Sequence, residues 1–150
     1  MMKILLAIDE SACSQAATKA VIAQFPRDRA EVRVLNVDEW PNRLPTSLAF
    51  AEGPTAASDI LDLREQRRRQ GEGVVSRAAQ QLRAAGFHAS TAVREGDARH
   101  AILDDAMEWA PDVIVLGSHG RKGMDRFFLG SVSESVMRHA TCSVEVVRAK

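Results

Sequence analysis

Gly117-Ser118-His119-Gly120 follows the apolar run Val113 to Leu116, and nine residues later comes Gly130-Ser131-Val132. These residue types at this spacing can bind an anion. Gly117 can turn the chain off a strand, and Gly120 and Gly130 let the backbone approach a ligand with no Cβ in the way. Ser131, read as an N-cap, opens a helical pattern with Val132. The first N–H groups of a helix are unpaired and sit at the positive end of its dipole, so they hold phosphate or carboxylate. The Ser131 hydroxyl adds a donor, and Arg121 and Lys122 add positive charge to the same loop.

Other motifs fail on spacing. No Gly-Lys-Ser or Gly-Lys-Thr follows, the glycines do not form GxGxxG, and Gly117, Ser118 and Gly120 are wrongly placed for a GxSxG elbow. Gly71-Glu72-Gly73 matches part of a fingerprint but follows no strand. His119 lies in the glycine loop, yet no Asp or Glu is placed by sequence to orient it, so it reads as a solvated histidine. The basic cluster Arg64, Arg67, Arg68 and Arg69 reads as a solvated helix face.

These residues need a scaffold. Ile4 to Ile8 and Val113 to Leu116 are apolar at consecutive positions, the pattern of strands buried on both faces of a parallel sheet. Val32 to Val37 and Val144 to Val147 are two further runs, and His88 to Val93 alternates as an edge strand would. Between them lie helical patterns. One is capped by Ser11 or Ser14, with Ala16, Ala17, Ala20, Val21 and Ala23 on one face. A long one, from about Ser58 to Ala85, is closed by Gly86, and Gly71 and Gly73 predict a kink or a late start. A third is capped by Asp97 and stopped by Pro111. The last carries Val132, Val136 and Ala140. Asp38 to Thr55 holds three prolines and reads as a long loop.

Alternating strands and helices predict one α/β domain over residues 1–150. Its form is Rossmann-like: an open parallel five-stranded sheet in the order 3-2-1-4-5, with helices on both faces. Ligands of such sheets bind beyond the carboxyl ends of the strands at the switch point. Here that point lies between the first and fourth strands, beside Asp9 and Gly117.

Composition narrows the function. Twenty Lys and Arg balance twenty Asp and Glu, which argues against a general nucleic-acid binder. Cys13 and Cys142 lack CxxC spacing, so they read as small buried thiols rather than a zinc site or disulfide. No apolar run is long enough to span a membrane, and the chain reads as cytoplasmic.

The pattern G-x2-G-x9-G-S, with Asp9 ending the first strand and Asn36-Val37 ending the second, resembles the universal stress protein family. The resemblance runs from KILLAIDES through VRVLNV to DVIVLGSHGRKGMDRFFLGSVSESVMRHATCSVEVV, essentially the whole chain. It implies an adenine-nucleotide (ATP, or AMP or ADP) binding regulatory protein with at most slow hydrolysis. Val37 would then meet the adenine through its backbone and Asp9 would sit near the adenine or ribose. Gly117 would lie along the ribose. Gly120, Gly130, Ser131 and Val132 would hold the phosphates with a divalent cation, Mg²⁺ or Mn²⁺. It also implies a homodimer paired through Val144 to Val147. A nucleotide-dependent hydrolase or transferase and a nucleotide-free interaction module are the alternatives. Glu10 departs from the family pattern, which usually has Gly there; Ser143 stands where Pro is common, and Glu145 charges the pairing strand.

Overall fold

Strands and helices alternate as β1 (Met2–Ala7), α1 (Ala12–Gln24), β2 (Ala30–Asp38), α2 (Pro54–Ala84), β3 (His88–Glu95), α3 (Ala98–Trp109), β4 (Val113–Gly117), α4 (Ser131–His139) and β5 (Ser143–Val147). This computed structural model describes residues 1–39, 54–120 and 129–149, without the side chains of 54–56. Most of the expected Asp38 to Thr55 loop, and Arg121 and Lys122, lie outside the described residues.

All four strand pairings are parallel and the order is β3-β2-β1-β4-β5, the order the sequence predicts. The unbroken apolar runs mark the middle of the sheet because side chains alternate between its faces. Ile4, Leu6 and Ile8 pack with Val113 and Val115 under α1 and α2. Leu5 and Ala7 pack with Ile114 and Leu116 under α3 and α4. β3 and β5 are the two edges.

β1 starts two residues earlier than its apolar run because Lys3 has partners there. Its backbone N–H donates to Asp112, its ammonium donates to the Trp109 carbonyl, and it lies 5.2 Å from the Trp109 ring centroid. Arg33 is 4.7 Å from the same ring, so the indole carries two cations.

Three helix details correct the sequence reading. Ser11 is the N-cap of α1, but the buried positions are Ser14, Ala17, Thr18 and Val21, while Ala23 is exposed. The face follows the i, i+3, i+4, i+7 rule rather than alanine content, because the Thr18 hydroxyl donates back to the Ser14 carbonyl and can be buried. α2 does not start late: it runs unbroken from Pro54 through Gly71 and Gly73. Gly71 is a notch: a Cβ there would lie 2.7 Å from Asn36 Oδ1, so its absence lets the helix cross β2 closely. α4 is capped by Gly130, not Ser131, which is already helical and exposed.

The other ends follow expectation. Gly86 has φ +95°, and its N–H and that of Phe87 donate to the carbonyls of Arg83 and Leu82, the paired bonds that close a helix through a left-handed glycine. Asp97 caps α3 by accepting from the N–H groups of Arg99 and His100. The Arg99 guanidinium, with these amide bonds, holds the Asp97 carboxyl well below the usual carboxylate range. Asp97→Ala is expected to cost about 1 kcal/mol in urea unfolding at neutral pH. A depressed carboxyl stabilises the fold above its unfolded pKa of about 3.9 and loses that contribution as pH falls through its lower folded value. The gap between wild type and variant should therefore narrow in acid. A gap independent of pH from 7 down to the onset of acid unfolding would contradict this.

Candidate functional site

The carboxyl ends of β1 and β4 meet where the switch point is expected. Asp9 follows β1 and is locked into its turn. Its Oδ1 accepts from the Ser11 N–H at 2.9 Å and the Ser14 hydroxyl at 2.7 Å, while its own N–H donates to Ser14 Oγ at 2.9 Å. Asp9 therefore braces the turn ahead of α1 instead of capping the helix. Oδ2, the other carboxylate oxygen, lies 2.9 Å from where a Gly120 Cβ would stand, so the Asp9 turn and the glycine loop are in contact.

The three loop glycines all answer to close approach. Gly86 and Gly96 are the described glycines with positive φ, and Gly117 is not among them. A Cβ on Gly117 would fall 2.7 Å from Cys13 Cβ and 2.9 Å from the Cys13 carbonyl carbon, so α1 lies directly on it. A Cβ on Gly130 would fall 3.0 Å from the Ser118 carbonyl oxygen. The Gly130 N–H donates to that oxygen at 2.8 Å, and the Ser133 hydroxyl shares its proton between the carbonyls of Ser118 (3.1 Å) and Gly130 (2.8 Å). The start of α4 is thereby fastened to the end of β4.

With Gly130 as its N-cap, α4 has no side-chain capping hydrogen bond at its N-terminus. Exposed Ser131 and half-buried Val132 begin it, and Val132 packs on the same apolar cluster as Val37. Val37 lies near the end of β2, beyond the last β1–β2 pair, Ala7 with Leu35. Asp9, Val37, Gly117, Gly120, Gly130, Ser131 and Val132 thus stand at one end of the sheet, while Arg121 lies outside the described residues.

Sequence reasoning missed a polar relay here. The Cys13 thiol is 3.6 Å from Ser118 Oγ, which is 3.1 Å from His119 Nδ1. Nε2 of His119 is buried with no hydrogen-bond partner among the described residues. Burial opposes ionisation of Cys13, but hydrogen bonds from the Ala149 backbone, the Ser118 hydroxyl and the His119 backbone prevail and lower its thiol pKa. Cys142, by contrast, is pushed up by burial. His139 is tied to its own helix, with Nδ1 lying 2.8 Å from the Ser135 carbonyl; as a carbonyl can only accept, Nδ1 carries the proton.

The basic cluster is also more than a solvated face. Arg68 and Arg69 pair with Glu65, whose carboxyl these bonds hold down to about 2, and Arg64 pairs with Glu95. Arg67 instead reaches Asp38, buried at the end of β2. A small polar cleft of about 20 Å³ lies there, on the α2 side, lined by Glu10, Asn36, Asp38, Arg67, Gln70 and Gly71 among others.

A sequence profile of the universal stress protein family matches residues 1–148. The chain belongs to the universal stress protein family. It is 31% identical over 147 residues to universal stress protein YxiE of Bacillus subtilis, covering 97% of this chain and 98% of that one. Universal stress protein UspA from Lactobacillus plantarum matches its fold with a TM-score of 0.80 at 25% identity, over 98% of this chain and 97% of that one. A family member from Arabidopsis thaliana with AMP bound has a TM-score of 0.67 at 15% identity, covering 100% and 93% of the two chains. A universal stress protein in complex with cAMP has a TM-score of 0.62 at 19% identity, covering 99% and 98%. These last two speak to the fold. No helix among the described residues of this universal stress protein is long and apolar enough to cross a membrane.

Proposed function

We propose that this chain is an adenine-nucleotide-binding regulatory protein, with ATP as the ligand of the switch-point site. The observation that carries the reading is the start of α4. Its N-terminal N–H groups carry no side-chain cap, and at Gly130 a Cβ would crowd the Ser118 carbonyl that fastens this helix start to β4. Such a helix end suits a phosphate. The buried Nε2 of His119 in the adjoining turn, which has no partner among the described residues, fits a polar ligand as well. AMP and cAMP in two structures of this fold support an adenine nucleotide over other anions.

In this reading, Ser131 and Val132 bind the phosphates through backbone N–H groups and the Ser131 hydroxyl, Gly120 and Gly130 leave room for them, and Arg121 adds charge; the Gly130 N–H stays with the Ser118 carbonyl. The Val37 backbone reads the base edge, with Asp9 and Gly117 beside the ribose. Among the described residues no three His, Cys, Asp or Glu side chains come together. An accompanying Mg²⁺ or Mn²⁺ would therefore take most of its ligands from phosphate and water. Phosphoryl transfer needs a positioned nucleophile and base. The Asp9 Oδ1 atom is committed to Ser11 and Ser14, which suits binding with slow turnover better than fast hydrolysis. Edge strand β5 offers its free side to a second copy, giving the homodimer.

The test is to denature the purified protein and identify released nucleotide by mass spectrometry, then to titrate stripped protein with ATP and Mg²⁺. Bound adenine nucleotide, or saturable ATP binding, is expected. A wild-type chain that releases none and binds none ends this reading.

A further inference from the structure

Arg67 sits on α2, 29 residues from its partner in sequence, and bonds to the last residue of β2 and the residue that follows it. Its Nε donates to Asp38 Oδ1 at 2.8 Å, and its Nη2 donates to the Glu39 carbonyl at 2.9 Å. Asp38 is 7% exposed, so its carboxylate has lost most of its water and depends on such partners. The same two residues are tied from the opposite side. The Asp38 carbonyl accepts from the Gly96 N–H at 3.0 Å, and the Glu39 carboxylate accepts from the Ala98 N–H at 3.3 Å. One residue earlier stands Val37, which has run past its β1 neighbour, and before it Asn36 donates to the Ile8 carbonyl at 2.8 Å. Val37 is thus held in place by side-chain bonds at the residues on either side of it, and α2 supplies the one from behind the sheet.

We propose that Arg67 is a positioning residue for the nucleotide base: by gripping the Asp38 carboxylate and the Glu39 carbonyl together, it sets the backbone of Val37 where the base edge is read. The inference rests on the reading of Val37 as the base contact. A planar guanidinium suits the role because its donors are fixed in one fork, whereas an ammonium presents a single centre. Gln70, one turn further along α2, donates to the Glu10 carboxylate at 3.0 Å, so the same helix also braces the turn that carries Asp9. The glutamate that departs from the family pattern therefore has a structural partner.

A site loses selectivity when a backbone that reads hydrogen bonds moves by a fraction of an ångström. The experiment measures ATP and GTP affinities, each with Mg²⁺, for wild type, Arg67→Met, Arg67→Lys and the double variant Arg67→Met with Asp38→Asn. The double variant removes the uncompensated carboxylate and so guards against simple unfolding. In Arg67→Met and in the double variant, ATP affinity is expected to fall about tenfold while GTP affinity stays within about twofold, with Arg67→Lys between them and wild type. Equal losses for ATP and GTP would make Arg67 a structural residue only and overturn the proposal. So would unchanged ATP affinity in Arg67→Met, or full recovery in the double variant. Wild-type protein that binds neither nucleotide would remove the nucleotide reading and this inference with it, an outcome distinct from the other three.

Discussion

Gly130→Val is expected to strip adenine nucleotide from the protein, lowering affinity by about 100-fold. Two backbone N–H bonds to phosphate, each worth about 1.5 kcal/mol as charge-assisted bonds, account for a loss of that size. The route is steric. A Cβ on Gly130 already stands 3.0 Å from the Ser118 carbonyl oxygen and 3.5 Å from His119 Cα, and valine adds two branches. Either the helix start or the β4 exit must retreat, and the Gly130–Ser118 hydrogen bond that joins them is stretched. Gly130→Ala asks for a shift of a few tenths of an ångström and should lose about tenfold or less. Overpacking also costs about 1–3 kcal/mol of stability, so binding must be measured well below each variant's unfolding temperature. A folded Gly130→Val protein that binds ATP as wild type does would remove α4 from the site.

The second large effect lies away from the site, at Asp105. Its side chain is fully buried on α3 and is held by Arg94 at 2.9 Å and Arg33 at 3.5 Å, whose side chains are 41% and 26% exposed. The exposures make the two halves of this cluster unequal. Replacing Arg33 and Arg94 together by Met leaves a carboxylate with no water and no cation, which costs about 3–5 kcal/mol. Asp105→Ala leaves two guanidiniums that can turn to solvent, and Arg94 keeps its pairing with Glu108. Its cost should be smaller, about 2 kcal/mol after allowing for screening. Urea unfolding of the two variants decides the order. A costlier Asp105→Ala would show that the carboxylate finds another partner when its arginines go.

How far these features can be read in the sequence follows from their range. Ile4 to Ile8 and Val113 to Leu116 announce buried parallel strands because burial on two faces writes itself into consecutive residues. The strand order follows, since right-handed crossovers leave few alternatives. The glycine loop is legible as a candidate anion site because its spacing is local. The reasons for its glycines are not: Gly117 yields to Cys13, and that contact spans more than a hundred residues. Ser131 reads as the cap because serine is a strong cap former, whereas Gly130 meets the constraint set by the Ser118 carbonyl. The arginines of α2 look alike in sequence. Only the crossing of α2 over β2 separates Arg67, which meets a buried carboxylate, from Arg68 and Arg69, which meet Glu65 one turn away. Asp105 gives no signal at all, because its arginines sit on β2 and β3.

The sheet order also sets a schedule for folding. β1 lies in the middle, yet β4, its neighbour on one side, comes more than a hundred residues after it in the chain. Until β4 exists, β1 can pair with β2 but shows a bare hydrogen-bonding edge lined by Leu5, Leu6 and Ala7. Parallel pairing across such a separation is slow, and exposed apolar edges aggregate. The chain therefore passes through a half-built sheet on the way out of the ribosome, and its dependence on chaperones should be greatest over the stretch between the completion of β3 and the arrival of β4.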